Sequence, residues 1–108
     1  MSKDPSIFIE DIRDSISAIN SYVRNMQKSE FMNSDMAQDA VIRRLEIIGE
    51  AANRLPDHFV RRHSDIPWAQ IIGMRNFLIH DYGRVNLDLV WDTIQSDLPD
   101  LKAKLEKL

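Results

Sequence analysis

Apolar residues recur three and four apart over most of this chain, and that spacing restricts what it can become. Phe8, Ile12, Ile16, Ile19, Val23 and Met26 form one continuous stripe, the signature of an amphipathic helix rather than a strand. Asp4 followed by Pro5 supplies a side-chain cap and a proline for the first turn, so the spacing predicts a first helix over 5–28. Ser29 to Ser34 reads as a connection, with Asn33 and Ser34 both competent caps. Val41, Leu45, Ile48 and Ala52 make the inner stripe of a second helix over 35–54, which Ile42 and Ile47 widen. Gly49, Ala51 and Ala52 permit another helix to approach closely. Glycine in a helix costs about 1 kcal/mol relative to alanine, and tight packing would compensate.

Pro56 disfavours helical geometry at Leu55 and ends that helix. Residues 56–66 read as a longer link, the most basic stretch of the chain. Pro67-Trp68 opens a third helix that ends around His80 to Gly83. Asn86 caps a fourth, with Leu87, Val90, Trp91, Ile94 and Leu98 facing inward. Pro99 kinks or restarts it, and Leu101, Leu105 and Leu108 carry the stripe to the end as core or dimer seam. With four amphipathic helices, no convincing strand and no internal repeat, the expected fold is an all-α four-helix bundle. At 108 residues it forms a single domain over 1–108.

Chemistry concentrates in Arg75-Asn76-Phe77-Leu78-Ile79-His80-Asp81-Tyr82, followed by Gly83. Helical geometry puts Arg75 and Tyr82 near one face and stacks Asn76 under His80, but it points Arg75 and His80 about 140° apart. Either the helix breaks near His80, as Gly83 allows, or two chains share the site; a combination is favoured. Arginine offers a donor fork suited to phosphate. Histidine gives or takes a proton near neutral pH. Asparagine holds a hydroxyl, a water or the imidazole. These parts suit cleavage of RNA without metal, because RNA carries its own nucleophile, the 2′-hydroxyl.

The string Gly73-Met74-Arg75-Asn76-x-x-Ile79-His80-x-Tyr82 resembles the signature of the HEPN superfamily in its HepT-like toxin branch. Gly49-Glu50-Ala51, Trp68, Ile72 and the Val90-Trp91…Leu98-Pro99 run are similar to that branch as well, so the resemblance covers roughly residues 8–105. It implies a four-helix homodimer with the signature at its interface, an endoribonuclease needing neither metal nor cofactor, and a nucleotidyltransferase antitoxin of the MntA kind as partner. Arg75 and His80 would be catalytic, with Asn76 supporting. Tyr82, otherwise readable as an edge-of-core aromatic or a base-stacking surface, would be the residue that the partner modifies with AMP.

Each residue also has a plainer reading. His80 alone suits a satisfied core or capping histidine, and Asn76 suits a backbone cap. Arg75 could simply pair with Glu50. That pairing is compatible with phosphate binding, since a carboxylate behind the guanidinium would orient it. Glu50 is either buried against an arginine or an exposed acid, and the buried role is favoured. Arg61, Arg62 and Arg84 belong to a solvated face unless they flank the active groove as an RNA-binding patch. Such a patch is needed, because a net charge of -3 argues against broad attraction to nucleic acid. His58 and His63 lack cysteines or converging acids for metal binding, and no glycine-rich loop would hold ATP. The N-terminus has no signal-peptide pattern and no apolar run of spanning length, so a cytoplasmic protein is expected. The alternative function is a non-catalytic HEPN module that docks a nucleotidyltransferase or binds nucleotide. A plain helical dimerisation domain is a third reading, and the polar cluster counts against it. RNA target, base preference and the antitoxin's identity are not written in the sequence.

Overall fold

The computed structural model describes residues 4–74, 76 and 84–108. Its elements are α1 (Pro5–Tyr22), α2 (Lys28–Met32), α3 (Asp35–Asn53), α4 (Asp57–Arg62), α5 (Trp68–Ile72), α6 (Leu87–Asp92), a π-helical segment (Thr93–Asp97) and α7 (Leu98–Leu105). The described residues contain no strand, in keeping with the all-α expectation.

The Asp4 carboxylate accepts from the Ser6 amide at 2.9 Å and starts α1. Its inner face buries Phe8, Ile9, Ile12, Ser15, Ile16 and Ile19. The helix ends at Tyr22 rather than at 28. Asn25 adopts a left-handed conformation, φ 63°, which asparagine tolerates better than most side chains. Val23 and Met26 still reach the core from this turn, so the apolar stripe outlasts the helix that begins it.

The segment expected as a bare connection contains α2. The Gln27 amide donates to the Glu30 carboxylate at 2.9 Å, and Phe31 is fully buried with its ring 5.4 Å from that of Trp91. Ser34 caps α3, its hydroxyl accepting from the Ala37 amide at 3.2 Å. The buried face of α3 is Ala37, Val41, Leu45, Ile48, Ala51 and Ala52. Against it α1 sets Ile12, Ile16 and Ile19, all at most 2% exposed. Each such side chain contributes roughly 1.5–3 kcal/mol on burial, and this seam is the centre of the core. The basic link is also partly helical: α4 follows Pro56 directly.

Asn86 caps α6 as expected, accepting from the Leu89 amide at 3.1 Å. Pro99 lacks an N–H for the Gln95 carbonyl, and its ring crowds that carbonyl. The chain meets this with a wider turn, the Leu98 amide donating to the Thr93 carbonyl five residues back. Helix therefore runs unbroken from Leu87 to Leu105, burying Val90, Ile94, Leu98, Leu101 and Leu105. The Arg13 guanidinium of α1 donates to the Leu105 carbonyl at 2.8 Å and closes the far end.

Candidate functional site

Three contacts position the helix that leads into the polar cluster. Trp68 is buried, and its indole N–H donates to the His63 carbonyl at 3.0 Å. Phe59 braces the same corner, its ring 4.6 Å from His63 and 6.2 Å from Trp68. On the other side Gly49 brings α3 against the end of α5. A Cβ there would lie 3.3 Å from the Ile71 carbonyl oxygen and 3.4 Å from that of Ile72. The small residue expected to admit a neighbouring helix does admit one. Gly73 closes α5 with its amide bonded to the Ala69 carbonyl at 3.0 Å, and Ile71 and Met74 point into the core.

Beyond Met74 the structure places only part of the predicted site. Asn76 is helical and exposed, and its amide donates to the Gly73 carbonyl at 2.9 Å. Its side chain is therefore at the surface, where a substrate could meet it. Arg75, His80 and Tyr82 lie outside the described residues, as does the expected helix break near His80. Chain description resumes at Arg84, which is exposed, and Val85, which is half-buried.

Glu50 is exposed, which corrects the favoured reading of a buried carboxylate. The reason is angular: Glu50 falls about 200° around α3 from buried Ile48. Arg61 and Arg62 end α4, and both are exposed. Ion pairs among the described residues join Lys28 to Asp88, Arg43 to Glu46 and Lys104 to Asp100, and none engages Arg61, Arg62 or Arg84. Asp88 holds the Lys28 ammonium above its ordinary pKa. Arg44 donates to the Tyr22 hydroxyl at 3.3 Å.

One feature escaped the sequence reading. A pocket of about 330 Å³ opens between α5 and the α6–π–α7 run, with Gln70, Thr93 and Asp97 among its lining. Its residues come from segments far apart in sequence, so no local pattern marks it. The sole hint is Pro99 inside an otherwise regular stripe, which forces the wide turn that carries Thr93 and Asp97. Among the described residues no three His, Cys, Asp or Glu side chains gather as metal ligands, and no helix is long and apolar enough to cross a membrane.

A family model described as "Ribonuclease HepT-like" matches residues 12–108. The chain is 41% identical over its whole length to the Probable ribonuclease HepT of Thermococcus cleftensis, covering 98% of that protein. It is also 41% identical over its whole length to a Methanocaldococcus jannaschii protein named as a gamma-glutamylcyclotransferase and proposed RNase, but it spans only 49% of that longer relative. Among solved structures it is similar to a tri-AMPylated Shewanella oneidensis HEPN toxin in complex with MNT antitoxin. The TM-score there is 0.72 at 24% identity, covering 98% of this chain and 96% of that one, and the likeness is one of fold.

Proposed function

Since the chain belongs to the HepT-like ribonuclease family, we propose that it is a toxin endoribonuclease that cuts RNA without a metal ion. The observation that carries this reading is the string Gly73-Met74-Arg75-Asn76…Ile79-His80-x-Tyr82 inside a chain that matches the family over residues 12–108. Support also comes from the anchoring of α5, which holds the start of that string against α3 through Gly49 and buries Met74.

In the proposed reaction His80 takes the proton of a 2′-hydroxyl. The 2′-oxygen attacks the adjacent phosphorus, and the bond to the 5′-oxygen breaks as that oxygen receives a proton. Arg75 binds the phosphate and stabilises the charge of the phosphorane. Asn76, exposed at the surface, positions substrate or His80. The products carry a 2′,3′-cyclic phosphate or its opened form. Two chains form a homodimer whose Arg75 and His80 line one cleft. Single-stranded or loop RNA is the substrate class, because only a flexible backbone lines the 2′-hydroxyl up with the scissile bond. Arg61, Arg62 and Arg84 supply local positive charge to a chain of net charge -3. Glu50, at the surface of the single chain, orients Arg75 from α3.

The partner is a nucleotidyltransferase antitoxin, in line with the MNT antitoxin bound to the Shewanella HEPN toxin. It attaches AMP to the phenolic oxygen of Tyr82. A bulky anion near Arg75 then blocks RNA by charge and volume.

The test compares wild type with His80→Ala on a structured RNA in EDTA, reading cleavage and end chemistry. Cleavage by the wild type alone, with cyclic-phosphate ends, is the expected outcome. Inactivity of unmodified, folded wild type across several RNAs would transfer the reading to a docking module without catalysis.

A further inference from the structure

The pocket between α5 and the α6–π–α7 run has the make-up of a ligand site. Its volume of about 330 Å³ falls at the small end of the range for small-molecule pockets, roughly 300–1,000 Å³. Ile71, Met74, Leu98 and Leu101, all buried, form an apolar bed, with half-buried Leu89 beside them.

Among the described residues, the polar lining is dominated by acceptors. Asp97 and Asp100 carry carboxylates, which only accept when ionised. Thr93 gives its one hydroxyl proton to the Leu89 carbonyl at 2.8 Å and so faces the pocket with lone pairs alone. Gln70 contributes an amide. Asp100 is already matched by Lys104 at 3.1 Å, whereas no described cation pairs with Asp97. An anion placed here would be repelled by two carboxylates. A wholly apolar guest would take polar groups out of water with nothing in return.

We propose that this pocket binds a small alkylammonium ion, its chain on the Ile71–Met74–Leu101 bed and its charged head at Asp97 and the Thr93 hydroxyl. Such binding is independent of the RNA chemistry proposed above.

The experiment is a titration of the whole ¹⁵N-labelled chain with hexylammonium, hexanol and hexanoate, followed by amide chemical shifts. Saturable shifts are expected at Gln70, Ile71, Thr93, Asp97 and Leu101, with hexylammonium the tightest of the three. Asp97→Asn, a surface change that leaves the apolar bed intact, should weaken hexylammonium about fivefold, as expected for loss of one partly exposed charge pair, and leave hexanol unaffected. Leu101→Trp, which fills the bed, should abolish the shifts while the helical circular dichroism persists. Equal binding of hexanol and hexylammonium overturns the proposal, as does indifference of hexylammonium to Asp97→Asn. So does the absence of shifts at these residues, the result expected if a second copy of the chain covers the opening.

Discussion

The α1–α3 seam and the α5–α6–α7 face are both assembled from helices with apolar stripes, yet the first is sealed and the second holds a cavity. Along the seam two helices of 18 and 19 residues meet over their length, and Ile12, Ile16, Ile19, Leu45 and Ile48 are at most 2% exposed. Across the other face α5 brings five residues to a run nearly four times as long. Its contact side chains leave about 330 Å³ unfilled. The contrast separates the tasks of the two regions. One holds the molecule together, and the other carries open volume, polar groups and the lead-in to the proposed catalytic string.

Substitutions can break or sharpen that division. Ile48→Ala, in the sealed seam, should cost about 2–5 kcal/mol, since a close-packed site cannot collapse around the missing atoms; a urea melt measures it. Gly49→Val forces branched carbons onto the Ile71 and Ile72 carbonyls and should cost about 1–3 kcal/mol. Because it displaces α5, RNA cleavage measured on the folded fraction should also drop, by at least about tenfold. If activity survived while stability fell, α5 would not be the element that positions the site. Leu89→Ala removes a half-buried wall beside an existing void, and about 1 kcal/mol of lost burial is expected. A melt showing the full penalty of Ile48→Ala there would erase the distinction between the two regions. Asp100→Ala breaks an exposed i,i+4 pair with Lys104 and should move stability by less than about 0.5 kcal/mol.

Much of the sealed region could be read from the residues. Asp4, Ser34 and Asn86 each cap the helix they were expected to cap, because a side-chain oxygen two or three residues before an apolar run has few other uses. The stripe of α3 gave its range to within a residue. What stayed hidden has a common cause, which is that periodicity needs length. α2 and α4 are too short to show a period, and both were read as links. Asn25 ends α1 through a conformation that no stripe records, while Val23 and Met26 continue the pattern beyond it. The wide turn before Pro99 depends on how a helix absorbs a missing amide, and proline alone does not announce it. As for the site, the spacing around Arg75 was legible as chemistry. The exposure of Glu50 was not, because it depends on which face of α3 the other helices leave uncovered. The pocket draws on residues from Pro67 to Leu101 and exists only once the helices are assembled.

The π-segment also sets a rule for how this molecule tolerates insertion and deletion. A turn closed over five residues holds one residue more than the regular turn around it. Removing any single residue from 93–97 would let the hydrogen bonds revert to ordinary helical spacing, with no gap in the chain. The phase would be largely kept, because five residues of a π-turn and four of an α-turn both sweep a little over one revolution. Leu98, Leu101 and Leu105 would keep facing the core, and the Leu105 carbonyl would stay within reach of Arg13. In this stretch one residue is spare, so a deletion here that preserves every apolar side chain should do less harm than one in α6 or α7, where everything beyond it would turn by about 100°.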